Sequence, residues 1–345
     1  MDAERRTEGD DGITRRRLLC GAAGGALAGL AGCIVHGEES DISGTVHVDG
    51  SNTVLPHAAA VAGEFGWRNN QVDVPVRGSG TGAGFQQFCI GSTDVQNASR
   101  PIDEENEVPL CEEHDVEWVN IEIALDGIAV YKNPENDWCD CLTVEELNRI
   151  WDPETTVETW SDVRAEWPDV ELVRYGRDRA SGTFDYFTEQ INGAAGAMTS
   201  DYSPSADTNV IIRGVEGNLG AIGFGGASYY HENPDTVELV GVDDGTGCVR
   251  PTTGTVEGES YTPLTRPLFA YFRRDSLARE EVRAYAEFYF EAIDDQAREV
   301  DFVTDGETLA WTQWGARAVG FYGLPDDRLE ESRATLEAAL SEVSE

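Results

Sequence analysis

Short β-forming stretches in this chain are each followed by a turn rich in glycine and hydroxyl side chains, and then by a helical pattern. The first strand, Gly44–Val48, leads into DGSNTVLP and a helix over Pro56–Trp67. The second, Val72–Val76, leads into RGSGTGAGF and a helix that starts at Gly84. This alternation is typical of an α/β domain with parallel strands. Ligands of such sheets bind beyond the carboxyl ends of the strands, where these turns lie.

A third turn of this kind follows the predicted strand Val170–Tyr175 and reads GRDRASGTFDYF. Arg177 supplies a planar fork of N–H donors. Ser181 and Thr183 supply hydroxyls, and Gly182 lets the backbone approach a ligand closely. A helix start at this point adds free backbone N–H groups and positive potential. Together these parts predict an oxyanion receptor; a serine-capped helix beside surface arginines is the alternative interpretation.

The charge of the chain excludes one class of partner. The formal net charge is −40, from 65 acidic and 25 basic residues. Lys132 is the only lysine, and all other basic residues are arginines. An acidic coat with almost no lysine indicates an organism living in high salt, where screening is short-ranged; an ordinary acidic domain is the alternative. Such a surface repels nucleic acid, so we expect no nucleic-acid partner.

The N-terminal segment 1–32 is predicted to be a Tat-type lipoprotein signal. Arginines at positions 15–17 precede a short run rich in alanine, glycine and leucine. The run is too short and too rich in glycine for a stable membrane span. It ends in LAGC, which resembles a lipobox, so Cys33 is the expected lipidation site and residues 33–41 form a tether. The protein would then be exported and lipid-anchored to the outer face of the cytoplasmic membrane. A plain signal peptide with an incidental cysteine is the alternative.

Five cysteines lie beyond the signal and Cys33. Outside the membrane, disulfides are allowed. Spacing does not determine their connectivity. The pairs that we expect are Cys89–Cys111 and Cys141–Cys248, which leaves Cys139 without a disulfide partner. The CDC run has no histidines at ligand spacing, so we predict no metal site, and we expect no cofactor.

Four further elements follow from local patterns. Thr143–Glu146 fits a capping box at a helix start. Thr252–Tyr261 is polar and predicts a loop. Asp275–Val300 predicts one strong amphipathic helix, and Asp326–Val343 predicts a terminal helix.

The sequence has no recognisable enzyme signature. GxSxG, HExxH and Walker-type lysine motifs are missing from it. Ser181 is a conceivable nucleophile, but nothing nearby in the sequence offers it a base. We therefore predict a binding protein and not an enzyme.

Several motifs, taken in order, resemble one family: DGSNTVLP, VPVRGSGTGAGF, FCIGSTDVQNASRPI, IALDGIAVYKN, GRDRASGTFDYF and GAIGFGG. The chain resembles the extracytoplasmic phosphate-binding lipoprotein of phosphate-specific ABC transporters, of the haloarchaeal type. The resemblance covers nearly all of the chain beyond the signal. It implies a two-lobed α/β fold of the periplasmic-binding-protein type (type II), which closes over one phosphate in the cleft between its lobes. The implied partners are inorganic phosphate and ABC transporter permease subunits, and we expect a monomer.

The resemblance also implies a set of phosphate-binding residues, spread over the three turns and their neighbours. They are Ser51, Thr53, Ser79, Thr81, Arg100, Asp126, Arg177, Ser181, Gly182 and Thr183. Some family members have, near the position of Arg100, an aspartate that accepts the proton of hydrogen phosphate and excludes sulfate. Arg100 therefore either adds charge to the pocket or points away into an ion pair. Asp126, within the apolar strand Ile121–Tyr131, is our candidate for the missing acceptor; a structural pair with Arg100 is the alternative.

The lobe limits follow from the resemblance and from two long apolar strands. One lobe is expected to use residues 42–129 plus 268–345, and the other residues 130–267. A receptor for another tetrahedral oxyanion, such as sulfate or molybdate, and a phosphate-sensing protein without a transporter are the alternative functions.

Overall fold

The computed structural model describes residues 42–179, 181–227, 229–230, 234–293 and 309–343. The predicted signal 1–32 and the tether 33–41, with Cys33, lie outside the described residues. Within these ranges, none of the helices has the length and apolar character needed to cross a membrane.

Strands and helices alternate along the described chain. The strands are β1 Gly44–Thr45, β2 Val48–Gly50, β3 Val72–Asp73, β4 Val95–Ala98, β5 Trp118–Lys132, β6 Cys141–Thr143, β7 Val173–Arg177, β8 Ser203–Ser205, β9 Ala221–Gly226, β10 Glu238–Asp243, β11 Cys248–Val249 and β12 Thr265–Arg273. The helices are α1 Leu55–Arg68, α2 Thr81–Cys89, α3 Glu107–Glu113, α4 Val144–Trp151, α5 Trp160–Val163, α6 Gly182–Asn192, α7 Thr208–Glu216, α8 Thr253–Glu257, α9 Glu280–Phe288, α10 Trp311–Ala318 and α11 Asp326–Val343, with a 3₁₀ turn at Ser276–Ala278.

One mixed sheet runs through the fold. Its strands follow the order β2-β4-β12-β5-β9-β7-β8, and β10 pairs with β5, β6 and β11. The pairs β2/β4, β7/β8 and β7/β9 are parallel. The central strands β5 and β12 run antiparallel to each other and to their other neighbours in that order. The predicted parallel α/β units therefore lie on either side of two antiparallel strands.

Hydrophobic side chains form two main cores that divide within β5. The first core includes Phe65 and Trp311 and extends along β5 to Ala124. The second begins at Leu125 and includes Trp151 and Phe224. Two adjacent residues of one continuous strand therefore belong to different cores, which gives the molecule two lobes joined through its central sheet.

Within the described residues, three chain segments connect the lobes: β5, the segment that leads into β12, and the segment around Tyr322. The first half of β5 pairs with β12, and its second half pairs with β9 and β10. A third connection lies near the C terminus, where Leu125 and Tyr322 exchange both backbone hydrogen bonds, at 2.9 and 3.0 Å. Tyr322 and Leu324 pack in the second core, although α11 that follows them packs against the first. The sequence predicts only the first two of these connections.

Both predicted disulfides are confirmed. Cys89–Cys111 joins α2 to α3, and Cys141–Cys248 joins β6 to β11. Cys139 keeps a free, buried thiol, as expected. Burial raises the pKa of this thiol to about 12, so it stays protonated at neutral pH.

Local capping sets several helix starts. The predicted capping box at Thr143–Glu146 is confirmed, since Thr143 Oγ1 accepts the Glu146 N–H at 3.1 Å. The predicted terminal helix Asp326–Val343 is also confirmed. The prediction of a loop throughout Thr252–Tyr261 is wrong, because Thr252 Oγ1 accepts the Thr255 N–H at 3.2 Å and starts the short helix α8.

The prediction of one helix over Asp275–Val300 is also wrong. Helix α9 ends at Phe288. Beyond it the chain joins the segment before α10, where the Ile293 N–H donates to the Leu309 carbonyl at 2.8 Å. These backbone bonds replace the helical bonds that the amphipathic pattern predicts. Residues 294–300 of the predicted helix lie outside the described residues.

The single lysine is buried at the end of β5. Lys132 has a side chain only 1% exposed, and its Nζ lies 2.8 Å from Asp140 Oδ1 and 3.2 Å from Glu238 Oε2. Nζ also donates to the Asn136 carbonyl at 2.7 Å. A buried ammonium is tolerated only when it is paired in this way, so Lys132 links β5 to the start of β10.

Candidate functional site

Three hydroxyl-bearing loops meet at the carboxyl ends of β2, β4 and β7. Strands β2 and β4 are parallel neighbours, with Gly50 beside Asn97, so the loops that begin at Ser51 and Ser99 lie side by side. Strand β7 ends at Arg177 and delivers the third loop from the other lobe. The N-terminal ends of α1, α2, α6 and α7 border the same cleft. The dipoles of these helices give the cleft positive potential.

The loops border two adjacent cavities. The larger, about 760 Å³, is lined by Ser51, Thr81, Ser99, Arg100, Tyr186 and Arg266 among others. The smaller, about 350 Å³, is lined by Thr53, Asp126, Arg177, Ser181, Thr183 and Thr208 among others. Gly182 lines both cavities. A Cβ at Gly182 would lie 2.5 Å from Thr53 Oγ1 and 3.6 Å from Ser99 Oγ, so the two lobes approach closely at a residue without a side chain.

Arg177 points its guanidinium along the smaller cavity. Its Nε donates to Ser181 Oγ at 3.2 Å, and its Nη1 donates to Thr208 Oγ1 at 2.9 Å. It forms no ion pair with any carboxylate in the described part of the chain. Arg177 is therefore held by neutral hydroxyls and keeps both a full positive charge and free N–H donors.

Ser181 caps α6 and faces the same cavity. Its Oγ accepts from Arg177 Nε and from the Thr183 N–H, both at 3.2 Å. Both contacts use the oxygen as acceptor, so the hydroxyl proton remains available to a ligand. Helix α6 begins at Gly182, whose N–H has no acceptor within the helix. This turn therefore presents a guanidinium, a hydroxyl proton and a backbone N–H together.

Asp126 and Arg266 form a buried ion pair between the two cavities. They are direct partners across β5 and β12, and their side chains are 3% and 7% exposed. Arg266 Nε and Nη2 both donate to Asp126 Oδ2, at 3.2 and 3.0 Å. Among the described residues, Asp126 Oδ1 has no hydrogen-bond donor. The alternative pairing of Asp126 with Arg100 is therefore wrong.

Arg100 is held by a different carboxylate. Its Nη1 and Nη2 donate to Glu107 Oε2 and Oε1 at 2.9 and 2.7 Å, in a bidentate pair. The hydrogen bonds to Glu107 raise the pKa of Arg100. Of the two roles considered for Arg100, the ion pair is the one present, although the residue still lines the larger cavity.

The predicted residues are divided unequally between the cavities. Six of them line the smaller one: Thr53, Asp126, Arg177, Ser181, Gly182 and Thr183. Ser51, Thr81 and Arg100 line only the larger one. Ser79 borders neither, and its N–H donates to Asp49 Oδ1 at 3.1 Å. That bond holds the segment before α2 against the end of β2.

Three residues that line these cavities are not among those predicted from the sequence. Ser99 follows β4 directly and its Oγ lies 3.2 Å from Thr81 Oγ1; its position after a strand was the available signal. Thr208 begins α7, and its hydroxyl holds Arg177. Arg266 gave no local signal, because its role depends on pairing with Asp126, which lies 140 positions away in the chain.

A fold with two α/β lobes and a polar cleft between them defines a solute-binding protein. Residues 37–292 match the family model described as PBP superfamily domain. The chain is 40% identical over 280 residues to Protein SphX of Synechocystis sp., covering 80% of this chain and 82% of that protein. It is 33% identical over 328 residues to the phosphate-binding protein PstS of Staphylococcus saprophyticus, covering 95% and 92%.

The crystal structure of a possible phosphate binding protein from Planctomyces limnophilus matches with a TM-score of 0.71 and 39% identity, covering 87% of this chain and 99% of that one. The chain belongs to the PBP superfamily and, within it, to the PstS-like family of phosphate-binding proteins. Proteins of this family are extracytoplasmic receptors and not enzymes. The predicted fold class and the prediction of a binding protein are confirmed.

Proposed function

We propose that this protein captures inorganic phosphate outside the cytoplasmic membrane and delivers it to the permease subunits of an ABC transporter. The observation that carries the proposal is Arg177, a guanidinium without a carboxylate partner among the described residues, facing a cleft lined by hydroxyls. A tetrahedral oxyanion needs many convergent donors and one compensating charge. The similarity to PstS of Staphylococcus saprophyticus supports phosphate as that anion.

The proposed phosphate position lies between Thr53 of one lobe and Arg177, Ser181 and Thr183 of the other. Asp126 Oδ1 then accepts the proton that hydrogen phosphate carries. Sulfate has no proton to give, so it would place two bare oxygen atoms together and bind less tightly. The open Oδ1 at the edge of the smaller cavity supports this role. Ser51 and Thr81, which line the larger cavity, would add donors from the loops behind Thr53, whereas Ser79 borders neither cavity.

The proposed lobes are residues 42–129 plus 268–345 and residues 130–267. The division of the two cores between Ala124 and Leu125 supports the first boundary to within a few residues. Phosphate meets one lobe, the lobes close, and the ligand favours the closed state in a population shift. The permease then opens the closed form.

We further propose a Tat-type lipoprotein signal at 1–32, lipidation at Cys33 and a tether over 33–41, which hold a monomeric receptor at the outer face of the membrane. The arginine-rich start, the short apolar run and LAGC support this assignment. The net charge of −40 with a single lysine supports a halophilic, haloarchaeal-type protein.

Isothermal titration of the purified chain with phosphate, sulfate and molybdate in molar salt tests the proposal. We expect tight binding of phosphate alone. Arg177→Ala should weaken it by roughly 3 kcal/mol or more, about 150-fold, because charge-assisted bonds in a closed cleft are strong. The matched control is Arg149→Ala, since Arg149 lies in the same lobe and, among the described residues, its guanidinium donates to the carbonyls of Asp162 and Val163. Tighter binding of sulfate, or normal binding by Arg177→Ala, would contradict the proposal.

A further inference from the structure

Arg266 holds its carboxylate differently from Arg100 and Arg164. Arg100 donates from two nitrogens to both carboxylate oxygens of Glu107, and Arg164 does the same to Glu146. Arg266 directs Nε and Nη2 at a single oxygen, Asp126 Oδ2. A fork that matches a carboxylate in two parallel bonds is the stronger arrangement. The Arg266–Asp126 pair lacks this bidentate geometry although both side chains are almost fully buried.

The Arg266 guanidinium therefore keeps N–H groups that are not committed to Asp126. Within the described residues, Arg266 Nη1 donates no hydrogen bond. Nη2 reaches Thr53 Oγ1 only at 3.4 Å, and it would lie 3.7 Å from a Cβ on Gly182. Arg266 also lines the larger cavity together with Ser51, Thr81 and Ser99. Arg266 therefore lies at the junction where the hydroxyl loops of the first lobe meet the start of α6, and its Nη2 is the atom nearest to that junction.

Both lobes hold Arg266 in this position. Asp126 fixes it from β5, and the Tyr186 ring of α6 lies 4.7 Å from its guanidinium carbon. The Tyr186 hydroxyl bonds the carbonyls of Pro263 and Thr265, at 3.0 and 2.8 Å, on the chain that leads into β12. Burying an ion pair costs free energy, because both charges lose their hydration. A cation that is held in place beside an anion site and keeps free N–H donors provides a functional reason for burying the pair.

We propose that Arg266 is a second cationic ligand of the bound oxyanion, and that Asp126 positions it across the two central strands. This inference rests on the proposed phosphate binding. Arg177 contributes charge from the second lobe, and Arg266 contributes it from the strand that joins the lobes. Closure then brings two guanidinium groups onto one anion, which favours the dianion over the monoanion.

The test is phosphate titration of wild type, Arg266→Gln, Arg266→Lys and Arg164→Gln, repeated from about pH 6 to about pH 8, across the second ionisation of the phosphate group. Arg164→Gln is the matched control, because Arg164 also pairs with a carboxylate and lies over a ring, Trp167 at 4.5 Å, but borders neither cavity. We expect Arg266→Gln to lose about 10-fold or more in affinity at the upper pH and less at the lower pH. Arg164→Gln should retain the wild-type affinity and its pH dependence.

A purely structural role for Arg266 predicts equal losses at every pH. That result, or unchanged affinity in Arg266→Gln, would overturn the inference and leave phosphate binding intact. If Arg266→Gln does not fold, Arg266→Lys decides, because lysine keeps a charge for Asp126 but lacks the second branch of the fork. Wild-type affinity in Arg266→Lys would overturn the inference. Absence of phosphate binding by the wild type would refute the proposed function and this inference with it.

Discussion

Gly182→Ala should weaken phosphate binding without weakening the fold. Gly182 is the first residue of α6, where alanine is a good helix former, so the open protein tolerates the change. In the structure the added Cβ would lie 2.5 Å from Thr53 Oγ1 of the opposite lobe. Either the lobes stop short of this approach, or Thr53 rotates its hydroxyl away from the junction. The first outcome is overpacking, and the second removes a donor to a charged ligand.

Both outcomes carry a similar penalty, about 1–3 kcal/mol, which corresponds to a dissociation constant roughly 5- to 150-fold larger. Titration calorimetry measures this loss, and thermal unfolding without phosphate checks the fold. Gly63→Ala in α1 is the matched control, because a Cβ there meets nothing within 4 Å. It should stabilise the protein by about 0.5–1 kcal/mol and leave affinity unchanged. Wild-type affinity in Gly182→Ala would refute the closure geometry proposed here.

Three further predictions concern charge and covalent links. Burial lowers the pKa of His57 to about 4, so the fold favours the neutral ring, and stability should fall between about pH 6.5 and pH 4 by roughly 3 kcal/mol. Urea unfolding of His57→Leu should lack this part of the acid dependence; the same slope in the variant would contradict the assignment. Replacing both cysteines of Cys141–Cys248, separated by 107 positions, should cost about 5 kcal/mol, against about 3 for Cys89–Cys111, separated by 22. Equal unfolding free energies for the two double variants would rule out loop entropy as the main term. Asp126→Asn should bring sulfate affinity closer to phosphate affinity, because the amide can donate to a bare oxygen; unchanged discrimination in a competition titration would discard Asp126 as the acceptor.

Local signals predict much of this fold and of the cleft. The three turns follow strands, carry their own glycines and hydroxyls, and precede helices, so their positions depend on neighbouring residues alone. Ser181 illustrates this point, since both groups that hold its oxygen lie within four positions of it. The capping box of α4 is equally local.

Features set by distant pairing escape such reasoning. Arg266 meets Asp126 only because β12 and β5 pair in one register. Helix α9 stops at Phe288 because the chain beyond it bonds to the segment before α10, which an amphipathic pattern does not reveal. Tyr322 enters the second core although the helix after it packs on the first. In each case, contacts between segments far apart in the sequence decide the structure, and the local sequence pattern does not reveal those contacts.

The burial of Lys132 makes the native protein a poor target for reagents directed at lysine side chains. Its ammonium is almost inaccessible and is committed to two carboxylates. Biotin esters and bifunctional cross-linkers aimed at lysine side chains would therefore react only when β5 and β10 separate. The rate of side-chain acylation at this residue, measured by mass spectrometry, then reports the rate at which the second lobe unfolds.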